Sequence, residues 1–213
     1  MNAPALPPLP FSLADLPPVF PDEPVLPLSV DAYHALVRAG FLNSGDPVEL
    51  LEGLLVKKMT RGPRHEWARR RLLRLLQGLV PSGYFVDSQG AASLVHSEPE
   101  PDVFVLRGTE DDYVDRHAGA SEVMLVAEVA DSSLRRDRNV KRRIYAGAGI
   151  PFYWIVNLVD ECVEVASQPG GASGKPTYAE STVYQNGDTI PVIIDGNELG
   201  RITASELLEP PVR

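Results

Sequence analysis

The fold is decided by residues 122–157, whose sequence is EVMLVAEVADSSLRRDRNVKRRIYAGAGIPFYWIVN. Residues 122–130 form an almost unbroken apolar run, which is typical of a strand covered on both faces. Residues 135–148 then predict a helix that ends among glycines. FYWIVN (152–157) predicts a second buried strand. A strand, a helix and another strand in this order indicate a layered arrangement of helices on a sheet.

Beside a short helix predicted over 29–40, the residues upstream predict a longer helix and two strands that complete the core. The longer helix spans residues 65–79, where apolar side chains recur at a spacing of about 3.6 residues. These side chains are Ala68, Leu72, Leu75, Leu76 and Leu79. The strands are 84–90 and 101–106. The order helix, strand, strand, strand, helix, strand predicts an α/β fold of the α+β kind, in which one helix covers each face of a mixed sheet.

Domain boundaries follow from the distribution of prolines along the 213 residues. Residues 1–27 hold many of the 20 prolines and lack hydrophobic periodicity, so they predict an extended, proline-rich N-terminal arm. Residues 28–213 are expected to form a single domain. Within it, VELLEGLLVKKM (48–59) predicts two short strands that turn at Glu52-Gly53, and residues 161–194 predict extra C-terminal strands.

Composition excludes several classes of protein. No apolar run approaches the roughly 20 residues that a membrane span needs. The first residues lack a basic region followed by a continuous apolar segment, so no signal peptide is expected. The single cysteine, Cys162, excludes an internal disulfide framework and a cysteine-rich zinc site. A reduced, cytoplasmic environment is therefore expected.

Basic residues are concentrated in two segments although the net charge is −9. Residues 57–74 contribute +7 and residues 135–143 contribute +5, so the rest of the chain carries −21. Such clustering fits a local phosphate-binding surface, and it fits two solvated arginine-rich helix faces equally well. The predicted nucleic-acid-binding residues are Arg69, Arg70, Arg74, Arg135, Arg136 and Arg138.

Two carboxylates predict a metal site. Glu128 lies inside the apolar run 122–130, where an unpaired charge must be neutralised, paired or bound to a metal. Asp102 opens the preceding strand. If the strands are neighbours, these carboxylates meet at one end of the sheet, where they repel by about 4 kcal/mol at about 4 Å and an effective dielectric of about 20. A divalent cation reverses that repulsion, and all-oxygen ligation predicts Mg²⁺ or Mn²⁺ rather than zinc.

The chain resembles the PD-(D/E)XK nuclease superfamily, in which a Pro-Asp pair is followed by a glutamate at the end of an apolar strand. More narrowly, it is similar to the Uma-two family of endonucleases. The stretches that carry this resemblance cover nearly everything after the arm: LSVDAYHALVRAGFL (28–42), VELLEG (48–53), GPRHEWARRRLLRLL (62–76), EPDVFV (100–105), VAEVADSSLRRDRNVKRRIYAGAGIPFYWIVN (126–157) and NGDTI (186–190). The resemblance implies a restriction-endonuclease-like core and metal-dependent cleavage of phosphodiester bonds.

One position departs from the superfamily pattern. Ala130 stands where the superfamily has lysine, two residues after Glu128. The resemblance implies that this lysine has moved to the following helix, where Lys141 is the candidate. Lys141 would orient the attacking water or stabilise charge on the phosphate. The alternative is an ion pair between Lys141 and Asp137, four residues apart on one helix.

The resemblance also points to a glutamate of VELLEG and to the histidine of GPRH. Glu49 is the first choice for an additional metal-site or water-orienting carboxylate. Glu52, on the opposite face of the strand, is the alternative, and either glutamate could simply be solvated. His65 would bind a phosphate or hydrogen-bond an active-site carboxylate, unless it is a satisfied core residue.

Three functional hypotheses follow. The first is a Mg²⁺- or Mn²⁺-dependent DNA endonuclease with Asp102, Glu128, Lys141, Glu49 and His65 in its site; cutting both strands needs two sites, so this hypothesis includes a homodimer. The second is a catalytically degenerate module that binds nucleic acid or a protein partner, motivated by Ala130 and the acidic pI of about 4.9. The third is a hydrolase of RNA or another phosphodiester, which needs the same site chemistry.

Overall fold

The computed structural model describes residues 26–43, 45–172 and 175–209. Most of the predicted N-terminal arm, residues 1–25, lies outside the described residues, so the boundary at residue 27 and the single domain over 28–213 stay predictions. The elements in chain order are α1 (Val30–Arg38), β1 (Val48–Leu51), β2 (Leu54–Lys57), α2 (Pro63–Leu79), β3 (Tyr84–Asp87), β4 (Ala92–Ser93), β5 (Val103–Arg107), β6 (Ala118–Gly119), β7 (Val123–Ala130), α3 (Leu134–Arg136), a π-helical segment (Asp137–Lys141), α4 (Arg142–Gly147), β8 (Phe152–Asn157), β9 (Cys162–Ala172), β10 (Lys175–Tyr184), β11 (Thr189–Ile194), β12 (Asn197–Thr203) and α5 (Ser205–Leu208).

A six-stranded mixed sheet forms the centre of the fold, in the order β10-β9-β8-β7-β5-β3. Strands β7 and β8 run parallel, and the other neighbouring strands of this sheet run antiparallel. The parallel pair requires a crossover connection, which α3, the π-helical segment and α4 supply as one continuous helix over residues 134–147. We call this element the crossover helix. The predicted mixed α+β sheet is confirmed.

The sheet is covered on both faces, as predicted. On one face α2 packs its buried side chains Ala68, Leu72 and Leu76 against the sheet. On the other face the crossover helix packs Ile144 and Tyr145. All eight residues of β7 are buried, because this strand lies inside the sheet with a helix on each side. No helix of the described residues is long and apolar enough to cross a membrane.

Most predicted strands agree with the structure, with one correction. The strand predicted over 84–90 ends at Asp87, because Gln89 has φ +66°, outside the β region. The extra strands predicted within 161–194 are present as the hairpin β9–β10 and as β11, which pairs with β12 beyond the predicted range. The short parallel pair β4–β6 has no counterpart in the sequence predictions.

The β1–β2 hairpin turns at the two residues predicted, Glu52 and Gly53. Both have positive φ, +50° and +79°, which is the backbone of a tight two-residue hairpin. A Cβ on Gly53 would lie 2.3 Å from the Pro27 side chain, so this position needs glycine for space as well as for conformation. An isolated bridge between Leu50 and Glu98 fixes the hairpin beside the segment that leads into β5.

Candidate active site

Two acidic residues meet where β5 begins and β7 ends. In the antiparallel register Val103 lies opposite Ala127, so one further step places Asp102 opposite Glu128. Residues directly opposite each other share one face of the sheet. The backbone N–H of Val129 donates a hydrogen bond of 2.9 Å to Asp102 Oδ2, which ties the two segments together. The structure therefore brings the two predicted carboxylates to the same end of the sheet.

The two oxygens of Asp102 have different surroundings. Besides the Val129 N–H, Oδ2 has His65 Nε2 at 3.1 Å. Oδ1 is buried, accepts no hydrogen bond from the described residues, and lies 3.2 Å from Arg61 Nη2. Burial by itself would raise the pKa of Asp102. The hydrogen bond and charge of His65, with the Val129 N–H and Arg61, outweigh burial and hold this pKa below its usual value.

Glu128 is held by two donors from the crossover helix. Lys141 Nζ donates a hydrogen bond of 2.8 Å to Glu128 Oε1, and the Tyr145 hydroxyl donates one of 2.7 Å to the same oxygen. Only 4% of Glu128 is exposed. Burial raises the pKa of Glu128 to about 8 against the opposing charge of Lys141, and the charge of Asp102 adds to the rise.

Lys141 connects Glu128 to a third carboxylate. Its Nζ lies 3.2 Å from Glu49 Oε2 as well as 2.8 Å from Glu128, and only 3% of the residue is exposed. Burial disfavours the charged amine, but Glu128, Glu49 and Asp137 outweigh it and hold the pKa of Lys141 above its usual value. Lys141 thus reaches back over the strand end, as expected of a lysine displaced from position 130. Its nearest acidic partners are Glu128 and Glu49 rather than Asp137.

The two candidate glutamates of the β1–β2 hairpin occupy different environments. Glu49 is buried and faces Lys141, and the Glu100 N–H donates to its Oε2 at 3.4 Å. Glu52 is exposed and forms an ion pair with Arg143 on the outer surface of the crossover helix. The structure therefore places Glu49 in the site and Glu52 outside it.

His65 points inward from the first turn of α2, which begins at Pro63 after the N-cap Gly62. Of the three predicted arrangements, the geometry matches contact with an active-site carboxylate, since Nε2 lies 3.1 Å from Asp102. Its other ring nitrogen, Nδ1, is buried and has no hydrogen-bond partner among the described residues. His65 therefore connects the helix on one face of the sheet to the group Asp102, Glu128 and Glu49 at its end, which we call the acidic cluster.

The predicted nucleic-acid-binding arginines of α2 differ in exposure. Arg69 is half-buried and donates to Glu66, with a further short contact to Ser88. Arg70 and Arg74 are exposed and form no ion pair within the described part of the chain. Arg70 and Arg74 are thus available to an external anion, whereas Arg69 is already paired.

The arginines of the crossover helix also differ in exposure and in contacts. Arg136 lines the pocket between the residues of the acidic cluster, which we call the site pocket. Its Nη1 donates to the Lys57 carbonyl at 3.0 Å and lies 3.6 Å from Glu49. Arg135 is exposed and borders the groove beside that pocket. Arg138 faces the far side, where it forms ion pairs with Glu164 and Asp160.

Three residues of the site were not identified from the sequence: Arg61, Asp137 and Tyr145. Asp137 accepts a hydrogen bond of 2.5 Å from Ser133 Oγ, and its Oδ1 is buried without a hydrogen-bond partner in the described residues. Burial raises the pKa of Asp137. The four-residue spacing of Asp137, Lys141 and Tyr145 was the available signal, because it aligns them on one helix face. Arg61 lies in a linking segment with no periodicity that could have singled it out.

The acidic cluster lines a small pocket of about 30 Å³. Its donors are carboxylate oxygens, and Asp102 Oδ1 is a buried acceptor without a hydrogen bond, so these residues fit a hard cation such as Mg²⁺ or Mn²⁺. Within the described ranges, no three His, Cys, Asp or Glu side chains are grouped closely enough to hold a metal ion by themselves. A cation there would need additional ligands, and Mg²⁺ usually keeps several waters.

Known proteins share the fold and the sequence family of this chain. A crystal structure titled "a putative nuclease belonging to DUF820 from Anabaena variabilis" matches with a TM-score of 0.62 and 14% identity, over 85% of this chain and 97% of that one. At this identity the match shows a shared fold. No curated protein sequence matches the chain. The family Uma2, described as "Putative restriction endonuclease", matches residues 30–199. This match covers most of the sequence, so the chain belongs to the Uma2 family.

Proposed function

We propose that the protein is a metal-dependent endonuclease that hydrolyses phosphodiester bonds in DNA. The observation that carries this proposal is the placement of Asp102 and Glu128 at one end of the sheet, with the buried ammonium of Lys141 beside them. Membership of the Uma2 family supports the same conclusion. Buried charged side chains gathered around one pocket are more typical of a functional site than of a hydrophobic core.

Asp102 and Glu128 would hold the metal. A bound Mg²⁺ or Mn²⁺ would activate water and neutralise charge that develops on the phosphate. His65 and the Val129 N–H fix the orientation of Asp102 through Oδ2 and leave Oδ1 for another partner. Lys141 and Tyr145 fix Glu128 through Oε1. Each carboxylate is therefore oriented by protein groups before a ligand arrives, which reduces the cost of assembling the site.

Lys141 and Glu49 would assist the chemistry. Lys141 provides the positive charge that the superfamily places at position 130, and it would orient the attacking water or stabilise charge on the phosphate. Glu49 contacts Lys141 from the hairpin side and helps to keep the ammonium charged. Glu49 would act as a positioning residue, or as the water-orienting carboxylate if it contacts the nucleophile.

DNA would be held by exposed arginines around the pocket. Arg70 and Arg74 on α2 and Arg135 on the crossover helix are exposed and form no ion pair within the ranges that the structure describes. Such residues bind phosphates without reading sequence. Cleavage of both strands would require two sites, so we propose a homodimer, which light scattering of the purified protein would detect.

Plasmid cleavage tests the proposal directly. Purified protein should nick supercoiled plasmid with Mg²⁺ or Mn²⁺ and lose this activity in EDTA. Asp102→Ala should reduce nicking by about a thousandfold or more. Glu198→Ala is a matched control that removes one exposed carboxylate, paired with Arg201, far from the site. Equal nicking by the wild-type protein and by Asp102→Ala would refute the assignment. Running RNA of the same sequence in parallel separates DNA from RNA as substrate.

A second function has one observation in its favour. Basic side chains already contact Asp102 and Glu49, through Arg61 and Arg136 respectively, so the acidic cluster is paired without a metal. A nuclease fold kept for binding nucleic acid or a protein would show this arrangement. Calorimetric titration separates the two: absence of Mn²⁺ binding, with DNA affinity that Asp102→Ala leaves unchanged, would favour the binding module.

A further inference from the structure

Arg61 forms an unusual contact with the acidic cluster. It lies in the linking segment between β2 and α2, and its Nη2 is 3.2 Å from Asp102 Oδ1. Oδ2 of the same carboxylate is occupied by His65 and the Val129 N–H, whereas Oδ1 accepts no hydrogen bond from the described residues. The contact between Arg61 and Asp102 is therefore one of charge, without the directional bond that usually fixes an arginine on a carboxylate.

Arg61 is also the most exposed of the three basic groups, Arg61, Arg136 and Lys141, that contact these carboxylates. Its side chain is 30% exposed, compared with 19% for Arg136 and 4% for Lys141. The neighbouring Gly62 has open space around it, and Arg61 precedes the first turn of α2 rather than lying within it. The guanidinium can therefore leave Asp102 by rotating its own side chain, whereas Lys141 would have to break the packing of the crossover helix.

We propose that Arg61 is a displaceable cation, which contacts the oxygen of Asp102 that would bind the metal. When a divalent metal binds there, Arg61 moves to the substrate phosphate. This inference rests on the proposed function. Asp102 Oδ1 is the acceptor left without a hydrogen bond, so a metal ion and the guanidinium compete for it. Two positive groups at one carboxylate oxygen repel each other, which favours release of the more mobile one.

A phosphate is the natural next partner for the released guanidinium. Arg61 lines the same pocket as Asp102 and Glu128, so it stays beside any phosphodiester positioned there. Its planar fork of donors matches two phosphate oxygens. Lys58 and Arg136 line the pocket as well but are engaged with Glu100 and with the Lys57 carbonyl, respectively. Arg61 would then touch the reacting group and act as a catalytic residue that also regulates access of the metal.

Two measurements on Arg61→Ala test the inference. Calorimetric titration with Mn²⁺ alone, without nucleic acid, should show about tenfold tighter binding than in the wild-type protein, because a competing cation has been removed. Plasmid nicking at saturating Mn²⁺ should be slower by about a hundredfold, because the phosphate loses a charged donor. Arg61→Lys keeps the charge and should fall between the two proteins in both assays. Arg201→Ala, which removes an exposed arginine paired with Glu198, should match the wild-type protein.

The opposite signs of the two effects distinguish this role from a structural one. Weaker or unchanged Mn²⁺ binding by Arg61→Ala would overturn the competition, and tighter binding with unchanged or faster nicking would overturn the transfer to the phosphate. If the wild-type protein binds Mn²⁺ and cuts DNA while these effects are missing, the inference fails and the proposed function stands. A wild-type protein that neither binds Mn²⁺ nor cuts DNA would refute both.

Discussion

The ammonium of Lys141 lies 2.8 Å from Glu128 Oε1, and both side chains are almost completely buried. Lys141 comes from the last position of the π-helical segment, and Glu128 comes from the central strand β7. Local π-helical geometry is frequent at functional sites, where it alters which side chains a helix presents. The pair therefore joins the crossover helix to the central strand that carries Glu128, one of the two proposed metal ligands.

Replacing the ammonium by an apolar group of similar length should reveal how strongly the site depends on it. In Lys141→Met, Glu128 and Glu49 lose their shared cation inside the protein. Breaking a buried pair in this way costs about 3–5 kcal/mol in the free energy of unfolding. Urea unfolding monitored by circular dichroism at pH 9, above the pKa of about 8 of Glu128, measures this loss. Plasmid nicking should fall at least a hundredfold.

The double variant Lys141→Met, Glu128→Gln is the control for this loss. Glu128→Gln removes the carboxylate that carries a charge above its pKa of about 8, so at pH 9 we expect about half of the lost stability to return while nicking stays absent. If Lys141→Met is as stable as the wild-type protein, then the contact contributes little to folding. In that case the buried ammonium would have to be explained by function alone.

Stability should depend on pH through Glu128. Its pKa is raised by burial from 4.5 to about 8, so between these values the folded protein keeps a proton that the unfolded chain releases. The resulting stabilisation is complete below pH 4.5 and is lost as the pH rises through 8. The free energy of unfolding of the wild-type protein, minus that of Glu128→Gln, should therefore fall by a few kcal/mol across this interval and stay constant above it. Urea titrations of both proteins across the interval measure the difference, and a rise with pH would contradict the assignment.

His65 should act through the orientation of Asp102. In His65→Gln, an amide nitrogen can replace Nε2 near Asp102 Oδ2. His65→Leu instead introduces an apolar side chain and leaves that oxygen with the Val129 N–H alone. Loss of a group that orients a metal ligand costs about 10–100-fold in metal affinity or activity. We expect His65→Leu to show this loss in Mn²⁺ affinity and in nicking rate, and His65→Gln to retain most of both. Equal behaviour of the two variants would show that the hydrogen bond is unimportant.

The central part of the fold was accessible from the sequence because its signals are long. The apolar run 122–130 and the following basic helix and strand were placed to within a residue or two, since burial on both faces demands many consecutive apolar residues. Strand adjacency then brings Asp102 opposite Glu128, as expected for carboxylates at the ends of neighbouring strands.

Other parts of the site could not be derived in this way. Alternation could not decide between Glu49 and Glu52, because β1 is buried at three successive residues, 49–51, and Glu52 lies beyond it in the hairpin turn. Asp137 fitted a surface ion pair as well as a buried one until the position of the crossover helix was known. Arg61 contacts Asp102 from an irregular segment, where no periodic pattern applies.

Two arginines of the crossover helix should differ in what they contribute. Arg135 is exposed, borders the groove beside the site pocket and forms no ion pair within the described ranges, whereas Arg138 is engaged with Glu164 and Asp160. Arg135→Ala should leave the melting temperature unchanged, weaken DNA binding and reduce the slope of log K against log salt concentration by about 1, because one phosphate contact is lost.

Arg138→Ala should show the reverse pattern. Its removal leaves the carboxylate of Glu164, which is mostly buried, with the amide of Asn157 as a remaining donor. Hydrogen bonds to charged groups contribute about 1.5–3 kcal/mol each, so the free energy of unfolding should fall by about 2 kcal/mol. DNA affinity measured by fluorescence anisotropy over a range of salt concentrations should stay close to that of the wild-type protein. In the structure Arg138 is bound to Glu164 and Asp160, so it could contact DNA only by leaving these ion pairs. An equal loss of DNA affinity in both variants would show that it does so.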